Sequence, residues 1–284
     1  MFLITGATGN VGREVVKLLL AEGRKVAAVS RNPARTIFPP EAQLIKGDPS
    51  RPATLATAFD GIGAVLLAPR ALAGAARELV SLAVSKGVRR AVVLSAVTVQ
   101  LGGGYRRFAD EFREIEHAVR VSGLEWTLLR SADYASNAMA WAEQIRVGNV
   151  VRGAYGDSAT STIHEWDVAA VVARSLVDPT HAGQTFVLTG PQSLTQRDKV
   201  QSIGHAIGKK LTWEEIPPDQ VRHAMLARGL PEDVPDRMLG YLADHVRQPG
   251  PSSDTVERLL QRPALTFNEW AVQHAAEFGG QIAQ

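Results

Sequence analysis

The strongest constraint on the fold is the glycine-rich run TGATGNVG at residues 5–12. It directly follows the apolar segment Phe2–Ile4, which predicts a strand, and it opens Val11–Glu22, whose apolar residues recur at helical spacing. Glycines between a strand and a helix predict a loop whose backbone N–H groups bind phosphate oxygens, helped by the partial positive charge at the helix start. The alternative is a glycine turn that merely links the two elements, and the sequence context favours the phosphate site.

Each glycine of this run has its own expected role. Gly6 permits a tight turn, Gly9 lets the backbone approach a pyrophosphate, and Gly12 lets the helix pack close to the sheet. We therefore predict that the ligand is a dinucleotide. Its expected contacts in this turn are Gly6, Thr8, Gly9, Asn10, Val11 and Gly12.

Further along the chain, short apolar runs alternate with helical patterns, which predicts a parallel sheet with crossover helices. Leu72–Lys86 predicts a second helix, and Gly23, Gly87 and Gly123 follow helical segments, where left-handed backbone ends a helix. The predicted fold class is α/β, a Rossmann-type doubly wound parallel sheet with its ligand at the carboxyl ends of the strands. The predicted strands are Phe2–Ile4, Lys25–Val29, Gln43–Ile45, Ala64–Leu67, Arg90–Leu94 and Trp126–Leu129.

The second half of the sequence predicts a smaller unit beside this sheet. Thr185–Thr189 predicts a strand that returns to the sheet edge, whereas Pro and Trp become frequent and helical patterns short from Leu211 onward. We predict a cofactor domain over residues 1–150, completed by the returning strand, and a small, mainly helical C-terminal substrate lobe over residues 195–284.

Two helix starts can be predicted in this half. Thr195 with Asp198 matches an N-cap residue followed by an acidic N3 residue. The run His-Glu-Trp-Asp at residues 164–167 could suggest a metal or acid–base cluster, but we predict that Asp167 caps a helix over Val168–Leu176, with His164 packed beneath it. The histidines show no paired ligand spacing, and no metal site is predicted.

The end of the second strand indicates which nicotinamide cofactor binds. NAD-selective sheets place Asp or Glu here to bind the ribose 2′-hydroxyl, whereas this chain has Ser30, Arg31 and Asn32. The planar guanidinium of Arg31 can pair with a 2′-phosphate, which a carboxylate would repel. We predict NADP(H) as the cofactor, with Ser30 and Asn32 assisting. The alternative is that Arg31 is a solvated surface residue.

Three more strand ends point toward the same crevice. Gly47 and Asp48 follow the third strand and are predicted to reach the adenine, although Asp48 fits a helix N-cap or Asx turn equally well. Ala68 and Pro69 follow the fourth strand, where small residues leave room for the nicotinamide ribose. Ser95 follows the fifth strand, beside the expected nicotinamide ring.

Bulk composition narrows the function classes. A formal net charge of +2 without a basic stripe argues against nucleic-acid binding. The absence of cysteine excludes disulfides, thiolate nucleophiles and cysteine-ligated zinc. No apolar run approaches the ~18–20 residues of a membrane span, and a strand at the start leaves no room for a signal peptide, so we expect a cytoplasmic protein. Abundant Ala, Val, Gly and Arg beside seven Lys suggest a GC-rich, bacterial source.

Taken in order along the chain, several motifs resemble the NmrA-like group of atypical short-chain dehydrogenase/reductases, which includes NADPH-dependent quinone reductases and nitrogen-regulator sensors. The resemblance spans nearly the whole chain and implies a Rossmann domain with a small C-terminal lobe that closes over the substrate. The motifs are TGATGNVG at 5–12, SRNP at 30–33, GD at 47–48, LSA at 94–96, SGLEWTLLR at 122–130, DVAAV at 167–171 and LTGP at 188–191.

The chain departs from ordinary short-chain reductases at the catalytic pair. Those enzymes use a serine after strand five, which Ser95 matches, and a Tyr-x-x-x-Lys pair whose lysine lowers the tyrosine pKa. Tyr105 is the one tyrosine soon after Ser95, but Ala109 stands where the lysine would be. No lysine occurs between Lys86 and Lys199. The usual Tyr–Lys couple is therefore missing.

Acceptors that tolerate this loss are expected to be the substrates. General acid catalysis contributes about 10²–10⁴-fold, and quinones or aromatic ketones need it least, because their reduced oxygen is stabilised by the ring or by a neighbouring phenol. The acceptor should lie between the fifth strand and the loop over residues 131–137. Ser95 is the first candidate to hydrogen-bond it, and Tyr105 or Tyr134 could donate a proton, stack on the ring, or simply pack.

Three functions compete at this point. The leading hypothesis is an NADPH-dependent reductase that transfers a hydride to the carbonyl of a bulky aromatic ketone or quinone, in one version a tailoring ketoreductase of an aromatic polyketide antibiotic. The alternative is a non-catalytic, NADP(H)-sensing regulator that binds a protein partner, which the missing couple fits equally well. A sugar-nucleotide epimerase is weaker, because its chemistry relies on the same couple.

Overall fold

The computed structural model describes residues 1–100 and 106–280, with the backbone alone at 106–108. Eleven strands lie within the described residues. In chain order they are β1 (Phe2–Ile4), β2 (Val26–Ser30), β3 (Gln43–Lys46), β4 (Ala64–Leu67), β5 (Arg90–Ala96), β6 (Glu125–Ser131), β7 (Val150–Gly153), β8 (Ala159–Thr160), β9 (Gln184–Leu188), β10 (Leu194–Thr195) and β11 (Thr212–Glu215).

The helices occupy the segments between these strands and most of the C-terminal part. In chain order they are α1 (Asn10–Ala21), α2 (Pro69–Leu72), α3 (Ala76–Ser85), α4 (Arg106–Arg120), α5 (Ala142–Val147), α6 (Glu165–Val177), α7 (Gln196–Ala206), α8 (Pro218–Ala227), α9 (Asp233–Arg247), α10 (Thr255–Leu260) and α11 (Phe267–Gln273).

The central sheet, as far as the chain is described, has seven strands in the order β3-β2-β1-β4-β5-β6-β9. Every neighbouring pair in it is parallel. The chain winds outward from β1 to β3, returns to β4 and then winds the other way, so the strand order reverses between β1 and β4. A ligand crevice forms at such a reversal, outside the carboxyl ends of the strands. The predicted α/β, doubly wound fold is confirmed.

Two apolar layers enclose this sheet. On one face α1 and α6 pack together, burying Val15 and Leu19 of α1 and Val172 of α6. On the other face α3 and α4 pack, burying Leu79 and Val119 among others. Each buried Leu or Val contributes about 1.5–3 kcal/mol relative to an exposed position, so these layers hold the strand ends in place.

The predicted strand and helix are both present, but the helix is divided in two. The strand predicted at Thr185–Thr189 is β9, and it lies at the edge of the sheet beside β6. The helix predicted over Leu72–Lys86 is split into α2 and α3, because Ala73 and Gly74 adopt left-handed backbone with φ of 45° and 88°. The turn glycines Gly23, Gly87 and Gly123 have φ of 69°, 80° and 83°, as predicted.

One of the two predicted helix starts is confirmed and the other is wrong. Thr195 and Asp198 form a capping box at the start of α7. Asp167 does not cap a helix, because α6 begins at Glu165 and its N-cap is His164, whose Nδ1 accepts the backbone N–H of Trp166. The buried carboxylate of Asp167 instead accepts the Leu265 backbone N–H at 2.7 Å and the Arg262 guanidinium.

A third apolar cluster forms the core of the C-terminal lobe. Trp270 of α11 is fully buried at its centre, packed with Ile203 of α7 and Val151 of β7. Residues from Ala135 to Ile145, before the predicted boundary near 150, also belong to this cluster, whereas α6 packs back on α1. The two units are therefore interleaved along the chain.

The described residues contain neither a membrane-spanning helix nor a cluster of metal ligands. No helix between residues 1 and 100 or between 106 and 280 has the length and apolar character needed to cross a membrane. No group of three or more His, Asp or Glu side chains in the same ranges could hold a metal ion. His164 is accounted for by its capping bond and by its contact with Gln273 at 3.0 Å.

Candidate functional site

The glycine-rich turn is shaped by close backbone contacts. A Cβ at Gly12 would lie 2.3 Å from the carbonyl oxygen of Gly6, so no other residue fits there without moving the backbone. Gly6 has φ of 62°, and a Cβ on it would lie 2.8 Å from the Cβ of Ala68. Gly12 therefore packs α1 against the turn itself, whereas the prediction had it packing against the sheet.

The start of α1 fits an anionic ligand. Gly9 is its N-cap, no side chain caps the helix, and its first turn holds no acidic residue. Thr8, Gly9 and Asn10 are exposed, whereas Val11 and Gly12 are buried. An uncapped helix start offers free N–H groups and a partial positive charge to a phosphate. The backbone cradle therefore suits a pyrophosphate.

Thr5 holds this turn to the next strand, a role that the prediction missed. Its hydroxyl donates to the carbonyl oxygen of Leu66 at 2.7 Å and accepts the Ala68 N–H at 2.9 Å. The two bonds tie the end of β1 to the end of β4, where the predicted residues Ala68 and Pro69 begin α2. A threonine that ends the first strand was the available signal, but its partner lies about sixty residues away.

The end of β2 carries a buried hydroxyl, that of Ser30, followed by the exposed side chains of Arg31 and Asn32. Ser30 is buried, and its hydroxyl accepts the Asn32 N–H at 3.1 Å and contacts the Thr36 hydroxyl at 2.9 Å. Arg31 and Asn32 are exposed, and Arg31 forms no ion pair within the described residues. The Ser30 bonds thus shape the loop, and the Arg31 guanidinium is free to bind an anion.

Asp48 is engaged in its own turn. Its carboxylate accepts the backbone N–H and the hydroxyl of Ser50 at 3.1 and 2.7 Å, and Arg51 lies 3.4 Å away. The hydroxyl and N–H of Ser50 hold the pKa of Asp48 below its usual value. Gly47 is required beside it, since a Cβ there would lie 2.3 Å from Leu55. This geometry favours the Asx turn for Asp48, and its contact with adenine stays a prediction.

Ser95 is committed to a buried carboxylate. Its hydroxyl donates to Glu116 of α4 at 2.6 Å, and Ser95 itself is only 2% exposed. Glu116 also binds Arg130 of β6 through two bonds of 2.8 and 2.7 Å and Arg120 at 3.1 Å. Because its proton already has an acceptor, Ser95 is poorly placed to donate to a substrate, and that role stays a prediction.

Glu116 is the second residue that the prediction missed. Burial alone would raise the pKa of Glu116, but hydrogen bonds from Arg130 and Ser95 and the charges of Arg130 and Arg120 hold it below its usual value. Glu116 is therefore a carboxylate that joins α4 to the ends of β5 and β6. Its position on a helix gave no signal that it would turn inward.

Tyr134 lies in the loop after β6, where the acceptor was predicted. Burial raises the pKa of Tyr134, Ser131 lowers it, Glu165 raises it and the positive charge of Arg70 lowers it. Ser131 ends β6 and Arg70 belongs to α2 after β4, so both groups that lower this pKa belong to the carboxyl ends of strands. Arg70 is exposed and has no ion pair within the described residues.

Tyr105 is the other tyrosine that the sequence predicted as a donor or packing residue. Tyr105 lies outside the described residues. Trp141 meets Trp213 edge-on at 5.9 Å, and Trp166 lies under the Arg262 guanidinium at 4.6 Å. They stabilise the lobe and the start of α6.

The loop after β6 is fixed to both α1 and α6. Asn10 donates to the Ser136 hydroxyl at 3.0 Å, and the Ser136 backbone N–H donates to the buried carboxylate of Glu165 at 2.6 Å. Asn10 was predicted as a cofactor contact, and here it links the glycine-rich turn to the loop that carries Tyr134. The glycine-rich turn and the loop after β6 thus share one hydrogen-bond network.

Asp133, beside Tyr134, is the centre of a polar cluster that the sequence did not reveal. Its carboxylate accepts the hydroxyls of Thr162 at 2.7 Å and Thr160 at 3.0 Å, and the Lys199 ammonium lies 3.5 Å away. The Tyr241 hydroxyl of α9 donates to its other oxygen at 3.2 Å. Lys199 is the first lysine after the gap noted in the sequence, and tertiary folding alone brings it here.

Comparison with known proteins connects this site with nicotinamide chemistry. Residues 6–179 match the family described as NAD(P)H-binding. The chain is 34% identical to the (4-alkanoyl-5-oxo-2,5-dihydrofuran-3-yl)methyl phosphate reductase of Streptomyces griseus subsp. griseus, over 98% of this chain and 99% of that protein. It is 30% identical to the NAD(P)H azoreductase of Xenophilus azovorans, over 98% of this chain and 99% of that protein.

A solved structure of an NADPH-dependent enzyme has the same fold as this chain. The NADPH-dependent quinone oxidoreductase of Escherichia coli, complexed with NADPH, superposes with a TM-score of 0.82 at 26% identity. The superposition covers 96% of this chain and 99% of that one. The similarity therefore extends over the sheet, the crevice and the C-terminal lobe.

Proposed function

This chain belongs to the NAD(P)H-binding family, among the atypical, NmrA-like short-chain dehydrogenase/reductases, and we propose that it transfers a hydride from NADPH to the carbonyl of a bulky aromatic ketone or quinone. The observation that carries the proposal is similarity along the whole length to NAD(P)H-dependent reductases, including the lobe that would cover an acceptor. A sensor without turnover is disfavoured, because the two relatives cited above, at 34% and 30% identity along nearly the whole chain, are named as reductases.

The chain's own residues would divide the work as follows. The backbone N–H groups from Asn10 to Gly12 would hold the pyrophosphate, and Arg31 would pair with the 2′-phosphate. When bound, the nicotinamide supplies the hydride. The protein contributes proximity and orientation, which can lower a barrier by up to about 7–11 kcal/mol.

Tyr134 is the best-placed proton or hydrogen-bond donor of the described residues. Because its pKa is raised by burial, it stays protonated at neutral pH, and the nearby Arg70 cation favours the charge left after donation. Ser95 would act indirectly, by fixing the ends of β5 and β6 through Glu116. Acceptors whose reduced form is a stabilised anion suit such a modest acid.

A second candidate substrate is an electron-poor ring that carries a phosphate ester. The relative at 34% identity is named for such a compound, in which two carbonyl groups activate a ring double bond. The exposed Arg70, whose positive charge acts on Tyr134, is a suitable partner for that phosphate. A matched pair of phosphorylated and dephosphorylated furanones separates this candidate from the quinones.

The test is NADPH oxidation followed by absorbance. The purified protein is mixed with NADPH, and quinones, aromatic ketones (an aromatic polyketide included) and the furanone pair are added one at a time. Turnover of any acceptor supports a reductase, and the preferred class assigns its substrate. Tight NADPH binding with no oxidation across the panel would replace the proposal with the sensor.

A further inference from the structure

The Asp133 carboxylate belongs to the loop that carries Tyr134, the proposed donor to the acceptor. It lies two residues beyond the end of β6 and directly before Tyr134, in the loop fixed to the glycine-rich turn through Ser136. Its side chain keeps 18% exposure, whereas the Lys199 side chain behind it keeps 4%. Lys199 is therefore enclosed, and Asp133 is the more exposed member of this ion pair.

The two oxygens of Asp133 have different surroundings. Oδ2 accepts the Thr162 and Thr160 hydroxyls at 2.7 and 3.0 Å and faces the Lys199 Nζ at 3.5 Å. Oδ1 accepts, within the described residues, one bond, from the Tyr241 hydroxyl at 3.2 Å. Hydroxyl bonds to carboxylates are usually about 2.5–2.7 Å, so this one is long. Oδ1 has capacity for a further or better donor.

Asp133 carries a negative charge at neutral pH. Burial alone would raise the pKa of Asp133, but the Lys199 charge and the hydrogen bonds from Thr162, Thr160 and Tyr241 hold it below its usual value. A charged oxygen with spare acceptor capacity attracts O–H or N–H groups and repels a carbonyl oxygen that is gaining negative charge. An acceptor in this crevice should therefore turn its reacting carbonyl toward Tyr134 and Arg70.

We propose that Asp133 binds the substrate, with Oδ1 accepting a hydrogen bond from a hydroxyl or N–H group on the acceptor and the Tyr241 hydroxyl giving way to it. This rests on the proposed reductase function and narrows its substrate class to ring systems that carry a donor away from the reacting carbonyl, as in a hydroxylated quinone or a phenolic ketone. Lys199, Thr160 and Thr162 act as positioning residues, because they occupy Oδ2 and so fix where Oδ1 points.

The test compares 6-hydroxy-1,4-naphthoquinone with 6-methoxy-1,4-naphthoquinone, which lacks the donor, at a pH below the pKa of the naphthoquinone hydroxyl. We expect wild-type kcat/KM to favour the hydroxyl compound by about tenfold to a hundredfold, the size of a hydrogen bond to a charged group. D133N should reduce that ratio at least tenfold. Y241F should keep or increase it, because the competing donor is gone.

Two controls separate recognition from folding and from charge. NADPH affinity, measured for every variant, shows that the cofactor domain is intact, and D60N removes an exposed carboxylate on the other side of the sheet with no expected change in the ratio. A wild-type ratio of one would overturn the inference while both quinones are still reduced, which leaves the reductase function standing. Loss of the preference in Y241F but not in D133N would assign recognition to Tyr241 instead. No oxidation of either quinone would count against the proposed function itself.

Discussion

Gly12 shows how the absence of a Cβ at one position shapes the glycine-rich turn. A Cβ there would lie 2.3 Å from the Gly6 carbonyl oxygen and 2.9 Å from the Ala7 Cα, so G12A must displace backbone. We expect a loss of about 1–3 kcal/mol in the free energy of unfolding and at least tenfold weaker NADPH binding. Denaturant unfolding and calorimetry measure both. G63A is the matched control, because its nearest contact is 3.9 Å away. Wild-type NADPH affinity in G12A would contradict this account.

Arg31 is expected to set the choice between the two nicotinamide cofactors. R31A should weaken NADPH binding about tenfold to a hundredfold, the size of a lost charged hydrogen bond, and leave NADH nearly unaffected. Titration of each cofactor measures the difference, and R89A, an exposed arginine before β5, controls for lost positive charge. Equal weakening of both cofactors would remove Arg31 from the 2′-phosphate site.

Residues whose roles are local could be predicted, and residues whose partners are distant could not. The glycine-rich turn and the turn glycine Gly123 follow from neighbours along the chain. Ser95 was assigned to the substrate because nothing nearby in sequence signals that Glu116, on the next helix, accepts the hydrogen bond of its hydroxyl. Lys199 lies sixty-six positions after Asp133, and no pattern of spacing links them.

At the scale of elements, Glu116 joins α4 to β5 and β6. E116Q should lower the free energy of unfolding by about 3 kcal/mol near neutral pH, because the largely buried Arg130 loses its charged partner. The folded-state pKa of Glu116 lies below its ordinary value of 4.5, so its contribution is full above that value and is lost as pH falls through the folded pKa. Urea unfolding across acidic pH should therefore show a shallower acid decline for E116Q than for the wild type. If the free energy of unfolding falls equally with pH in both proteins, the Glu116 carboxylate does not stabilise the junction of α4 with β5 and β6.

The strands were easier to predict than the helix starts, for a physical reason. A buried parallel strand is a continuous apolar run, and all six N-terminal strands end within two residues of their predicted ends. A helix start depends on which side chain reaches a free N–H. His164 takes that position in α6, while Asp167 is drawn away by Arg262 and the Leu265 N–H nearly one hundred residues later.

At the scale of the whole molecule, Asp133 and Lys199 connect the sheet to the lobe. The pair joins the loop after β6 to α7, and Tyr241 brings α9 to the same carboxylate. Because cores of the two units are interleaved along the chain, the lobe is held by such polar contacts and by its own cluster around Trp270. We therefore expect the lobe to loosen before the cofactor domain does.

K199M tests this expectation. Burial lowers the pKa of Lys199 and the Asp133 charge opposes that shift, so the variant leaves a partly buried carboxylate without its cation, at a cost of about 3 kcal/mol. Hydrogen exchange should rise in peptides from α7 and α9 while α1 stays protected, and NADPH affinity should stay near the wild-type value. K210M, an exposed lysine four residues beyond α7, controls for lost charge and should leave exchange unchanged. If α1 loses protection together with the lobe, the two units open as one and the Asp133–Lys199 pair supports the whole fold.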